Sequence, residues 1–189
     1  MIRRYVAAAI VAVGAAIVAP AAAGADDHGG GSRHADQHEL KVVRDATVQF
    51  RDVGVAREAG YELFPDAAGI TCIDMPGTGA MGTHYVSSTL VGDGEIVASE
   101  PEALVYEHRN GKPFLVAVEY VVLQAAWDSS HSAPPSLFGQ PFDVTPDGNR
   151  YGIPAFYSLH AWVWKHNPAG DLAMWNPVVR CPSRTGGPR

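Results

Sequence analysis

Residues 103–123 read ALVYEHRNGKPFLVAVEYVVL, and this stretch decides the fold class. Two runs rich in Val, Leu, Tyr and Phe flank Asn110-Gly111. A tight hairpin turn needs positive φ at both central residues, and Asn-Gly supplies it most readily. With a two-residue turn, Arg109 faces Lys112 and Leu104 faces Ala117. One face then carries Leu104, Tyr106, Leu115, Ala117, Glu119 and Val121. The other carries Val105, Glu107, Phe114, Val116, Val118 and Tyr120. Both faces are largely apolar, which predicts a central hairpin covered on both sides.

Working outward, Thr83 to Val91 reads as extended and Gly92-Asp93-Gly94 as a turn. Cys72 to Gly82 reads as a loop. Upstream, Asp45 to Ala59 predicts a helix with Asp45 as N-cap, an apolar stripe of Phe50, Val53, Ala56 and Ala59, and Gly60 as its stop. Downstream, Ser129 to Gly152 is a long Pro-rich loop in which prolines forbid a central strand, a length typical of lids and binding loops. Tyr157 to His166 fits either strand or helix. One N-terminal helix with hairpin-joined strands predicts an α+β fold, mainly an antiparallel β-sheet or open sandwich, with the Pro-rich loop over one end.

The ends of the chain read differently. Arg3 and Arg4 precede an apolar run from Ala7 to Val18, and small residues around Ala23 and Ala25 suit cleavage, so residues 1–25 are expected to be a signal peptide. Residues 26–44, with His28, His34 and His38, are expected to form a flexible His/Gly-rich leader. Residues 45–182 are expected to form a single domain and 183–189 a disordered tail. The expected product is a secreted or cell-envelope protein of bacterial type. No second apolar stretch is long enough to span a bilayer, which predicts no stable membrane insertion after cleavage.

The chain has 189 residues, with 14 basic and 20 acidic ones. Loss of Arg3 and Arg4 with the signal peptide would leave a net charge of −8. Nucleic acid is not expected as a partner for such an acidic chain, and no protein partner can be inferred. In an oxidising compartment the two cysteines, Cys72 and Cys181, are expected to pair as a disulfide, with free thiols or a thiolate metal pair as the alternatives.

Gly77, Gly79 and Gly82 spell GxGxxG, but Pro76 precedes them and extended sequence follows, which argues against a dinucleotide loop. Serine-hydrolase and HExxH signatures are absent from the sequence. The informative residue is Glu119, a carboxylate inside an apolar stripe. Buried there, it needs a cation, hydrogen bonds or a metal. His84 and His160 are the candidate partners, with Glu107 and His166 as lesser ones. Two outcomes are open: a Glu–His pair that holds the core, or a two-His-one-carboxylate ligand set for a divalent transition metal, Zn, Fe, Cu or Mn. Glu107 is expected on the opposite face from Glu119, near solvent. His108 is expected to be exposed. Trp127, Trp162, Trp164 and Trp175 suit a core. Trp162, Trp164 and Tyr85 are also candidate ligand-binding residues.

The motifs Met81-Gly82-x-His84-Tyr85-Val86, Pro101 to Glu107, Val118-Glu119-Tyr120, Leu159 to Trp164 and Trp175-Asn176-Pro177 resemble a family of exported bacterial proteins of unknown function. The resemblance covers roughly residues 45–181 and groups Met81–Tyr85, Glu107, Glu119 and His160 as positions of interest. It implies no activity. The expected function is non-catalytic binding of a metal or small ligand. The alternative is a metal-dependent enzyme of oxygenase or hydrolase type, with Glu107, His131 or His166 as base.

Overall fold

The computed structural model describes residues 35–182. The expected signal peptide (1–25), the first part of the leader (26–34) and the tail (183–189) lie outside the described residues. The hairpin around Asn110-Gly111 forms as β4 (Ala103–Arg109) and β5 (Lys112–Leu123), with both turn residues at positive φ. Arg109 faces Lys112 as expected, but the register shifts between Val105 and Tyr106. Beyond this bulge Leu104 faces Val118 and Ala103 faces Glu119. A bulge puts one extra residue on one strand and exchanges faces for everything past it. Alternation from the turn therefore mis-sorted the second half of β5.

The corrected faces are chemically cleaner. Leu104, Tyr106, Leu115, Val118, Tyr120 and Val122 join one large core cluster. Val105, Val116 and Ala117 join a smaller one on the other side, with Ala80, Trp162 and Val179. Glu107 and Glu119 thus share a face, contrary to expectation.

The hairpin sits mid-sheet. The other strands are β1 (Glu62–Leu63), β2 (Cys72–Met75), β3 (Gly79–Val86), β8 (Asp143–Thr145) and β9 (Phe156–Ala161), in an antiparallel seven-stranded sheet of order β1-β3-β4-β5-β9-β8, with β2 also on β3. The fold is α+β with an open antiparallel sheet. Residues 157–161 resolve the strand-or-helix ambiguity as strand, and the strand ends at Ala161.

Helix α1 runs from Gln37 to Thr47 and starts eight residues before the expected Asp45. Asp36 is its N-cap, accepting from His38 N at 2.7 Å. Leu40 and Val43 are buried, so residues 37–44 belong to the fold and not to a flexible leader. A short 3₁₀ turn (Val48–Arg51) follows, and Asp52 caps the short α2 (Val53–Glu58), accepting from Gly54 N at 2.8 Å. The 3₁₀ turn and the Asp52 cap divide what three-residue spacing read as one helix. Phe50 and Ala56 of the expected stripe are buried, whereas Ala59 is exposed. These helices cover the large core cluster.

Two loop assignments are corrected. Cys72 to Gly82 contains β2 and the start of β3, joined by a turn at 76–78. The segment after Val86 is not extended. Ser88–Asp93 forms α3, capped by Ser87 and closed by Gly94 at φ 78°. The Pro-rich stretch carries a small hairpin of β6 (Ser136–Leu137) and β7 (Gln140–Pro141), then β8 at the sheet edge, where proline nearby costs no central ladder bond. It follows α4 (Gln124–Asp128).

Cys72 and Cys181 form the expected disulfide, closing a separation of 109 residues. The C-terminal segment lies on the smaller-cluster face, where Ala80 and Asn176 exchange backbone hydrogen bonds. No helix among the described residues is long and apolar enough to cross a membrane.

Candidate metal centre

The face shared by Val105 and Ala117 carries the site. On β9, Tyr157, Leu159 and Ala161 enter the large core cluster, so Phe156, Ser158 and His160 point the other way. His160 is the direct cross-strand partner of Glu119. On the far side of Glu119 stands Ala103 of β4, whose own neighbour on β3 is Val86. His84 is two residues back from Val86, on the same face. Ala103 has only a methyl group, so His84 can reach across β4 to Glu119.

The three side chains meet. His84 Nε2 lies 3.3 Å from Glu119 Oε2 and 3.4 Å from His160 Nε2. His160 Nδ1 lies 3.5 Å from Glu119 Oε1. One ligand atom from each falls within 4.8 Å of the others. Trp162 backs the cluster, its ring stacked on His160 at 6.0 Å between centroids.

All three are buried. Loss of water pushes both histidines down to about 4, against the pull of Glu119 on His84 and of Asp143 on His160. Loss of water also raises Glu119, partly offset by His84 and a hydrogen bond with Ser158. Neutral imidazoles are the metal-binding form of histidine. The network is also incomplete: His84 Nδ1 is buried without a hydrogen-bond partner among the described residues. A buried polar atom left unpaired costs about 1–3 kcal/mol.

Spacing provides a fit test. Ligands about 2.0–2.1 Å from a tetrahedral zinc ion lie about 3.3–3.4 Å from one another. The 3.3 Å and 3.4 Å separations around His84 Nε2 match that edge. An octahedral facial set at similar bond lengths needs about 3.0 Å. The donor set suits a divalent transition-metal ion, with the two separations from His84 Nε2 at the tetrahedral edge and all three ligand atoms within 4.8 Å of one another.

Exposure falls from Glu119 (11% of its side chain) through His84 (6%) to His160 (1%), so the open side of the cluster lies toward the first two. A pocket of about 410 Å³ adjoins that side, lined by His84 and Glu119 and walled mainly by apolar side chains. Its walls come from β1, α3, the end of β5 and the loop before β9. The loop is held down by Arg150, which donates to Asp66 at 2.7 Å, and by Tyr151 stacked on Phe64.

The other candidates lie elsewhere. Glu107 is buried, not solvated. It accepts from Lys165 Nζ at 2.8 Å, Arg109 Nε at 2.7 Å and Arg180 N at 3.1 Å. Burial raises its pKa, but the Lys165 and Arg109 hydrogen bonds outweigh this and leave it below the ordinary glutamate range. His166 is exposed and past the end of the strand. His131 is exposed and stacked on Trp127 at 3.7 Å. His108 is half-buried beside Thr83 Oγ1. Trp162 donates to Ala173 O, and Trp164 donates to Thr47 Oγ1 beneath the Arg51 guanidinium. Tyr85 packs on Tyr106 on the opposite face. None of these three, read from the sequence as candidate ligand-binding residues, is among the residues that line this pocket.

Sequence reasoning missed Ser158 and the pocket walls. Ser158 was findable, two residues before His160 on the same strand. The walls come from four separate segments with no shared period. No protein family, curated protein or solved structure matches the chain.

Proposed function

We propose that this is an exported protein that binds one divalent transition-metal ion, zinc in preference, through His84, Glu119 and His160. The observation that carries the reading is the convergence of these three side chains from three strands, with one ligand atom of each within 4.8 Å of the others. The Cys72–Cys181 disulfide supports an oxidising compartment. A metal on His84 Nε2 would stabilise the Glu119 carboxylate by its charge, and both histidines are already neutral.

The same centre with water in the open position would be catalytic of hydrolase or oxygenase type. Binding without turnover is better supported, because Glu107, His131 and His166, the bases expected from the sequence, all lie outside the cluster.

The test is metal content and zinc titration of the untagged chain, beside Glu119→Gln, the double variant His84→Ala/His160→Ala and the leader variant His28→Ala/His34→Ala/His38→Ala. One zinc per chain is expected in the wild type and the leader variant. Glu119→Gln, which preserves shape, should weaken zinc binding at least tenfold, and the double variant should abolish it. No zinc in the wild type, or loss only in the leader variant, would overturn the proposal.

A further inference from the structure

Resting on that metal reading, we infer that the pocket beside the centre takes a small apolar monocarboxylate, with its carboxylate on the open metal position and its hydrocarbon part among Leu63, Phe64, Val121, Leu123, Ile153 and Phe156.

Three observations lead to this ligand. The first is charge. A divalent ion held by two neutral histidines and one carboxylate carries a net charge of about +1 at the base of an apolar pocket. An uncompensated charge there is costly. Among the described residues that line the pocket, none is Lys or Arg, and Glu62 is exposed at its edge. A monoanion neutralises the metal. Without the metal the same anion would meet Glu119 and find no cation to pair with. The second is shape. The cavity of about 410 Å³ lies within the range of small-molecule sites, lined mostly by apolar side chains with few polar groups at one end. The third is access. Glu119 and His84 line the pocket whereas His160 does not, so the pocket is the approach to the cluster.

The ligand should therefore show two dependences together. Its carboxylate makes binding depend on metal, and its chain makes binding depend on length. Each methylene buried in the pocket should tighten binding about fourfold, from about 0.8 kcal/mol per group.

The experiment is calorimetric titration of butanoate, hexanoate, octanoate and octan-1-ol into the full chain, with and without zinc, zinc content being measured on each sample. Octanoate is expected to bind zinc-loaded protein one to one, at least tenfold tighter than octan-1-ol. Hexanoate and butanoate should weaken stepwise, and zinc-free protein should show no octanoate binding. Leu63→Glu, at a position 44% exposed and so tolerant of charge, should keep zinc and lose the chain-length dependence. Stoichiometric zinc with no octanoate binding would overturn the ligand and leave the metal reading intact. Equal binding of octanoate with and without zinc, or of octan-1-ol and octanoate, would overturn it too. Absence of zinc would overturn both.

Discussion

Glu102 and Glu107 stand five residues apart, are both buried, and behave in opposite ways. Glu107 is surrounded by three donors, two of them cationic, and ionises readily. Glu102 accepts from Val121 N at 2.9 Å, and burial, with Asp93 and Glu119 contributing, pushes it up to about 8. Its native form keeps a proton that the unfolded chain releases near the ordinary glutamate value. Its contribution to stability is therefore whole below about pH 4.5 and is lost as pH rises through about 8. Glu102→Gln keeps an acceptor for Val121 N but cannot ionise. Relative to wild type it should gain on the order of a few kcal/mol between pH 4.5 and 8.5. Urea midpoints at both pH values check this, and an offset that does not change with pH would show that Glu102 does not titrate with folding. At this scale Glu119 was legible as a carboxylate in an apolar stripe. Glu107 was misread as solvated because Lys165 and Arg180, its distant partners, leave no trace in its neighbourhood of sequence.

Strand β3 carries a backbone requirement that no apolar pattern expresses. Gly79 has φ 144°, and a Cβ there would come within 2.4 Å of the Asn176 carbonyl oxygen. Gly82 has φ 120° and approaches the Tyr106 carbonyl in the same way. The GxGxxG pattern thus lets neighbouring backbone come close, with no phosphate involved. Gly79→Ala should cost about 3 kcal/mol or more, from strained φ and the displaced C-terminal segment. Chemical denaturation measures the loss, and a change below about 0.5 kcal/mol would mean that the segment moves aside freely. The hairpin β4–β5 was readable because turn and strands lie together in sequence. Its bulge was not, since the gain from placing Val116 and Ala117 in one cluster depends on Trp162 and Val179, which arrive from elsewhere.

Across the whole molecule, the Cys72–Cys181 bridge ties β2 to the C-terminal segment that covers the smaller cluster. Closing a loop of about 100 residues limits the unfolded chain, so Cys72→Ser/Cys181→Ser should lose about 2–5 kcal/mol. Thermal melting of this variant beside wild type tests it, and identical melting points would show that the clasp of Glu107 on Lys165 and Arg180 suffices alone. The sequence by itself determined the α+β class, the central hairpin, the cysteine pair and the three residues His84, Glu119 and His160. Each follows from local pattern or from the rule that buried charge needs a partner. Only the tertiary structure decided which glutamates share a face, that α1 begins at Gln37, and that a pocket opens beside the cluster. Those depend on cross-strand register and on four separate segments meeting, and such contacts are set by packing between residues far apart in the chain.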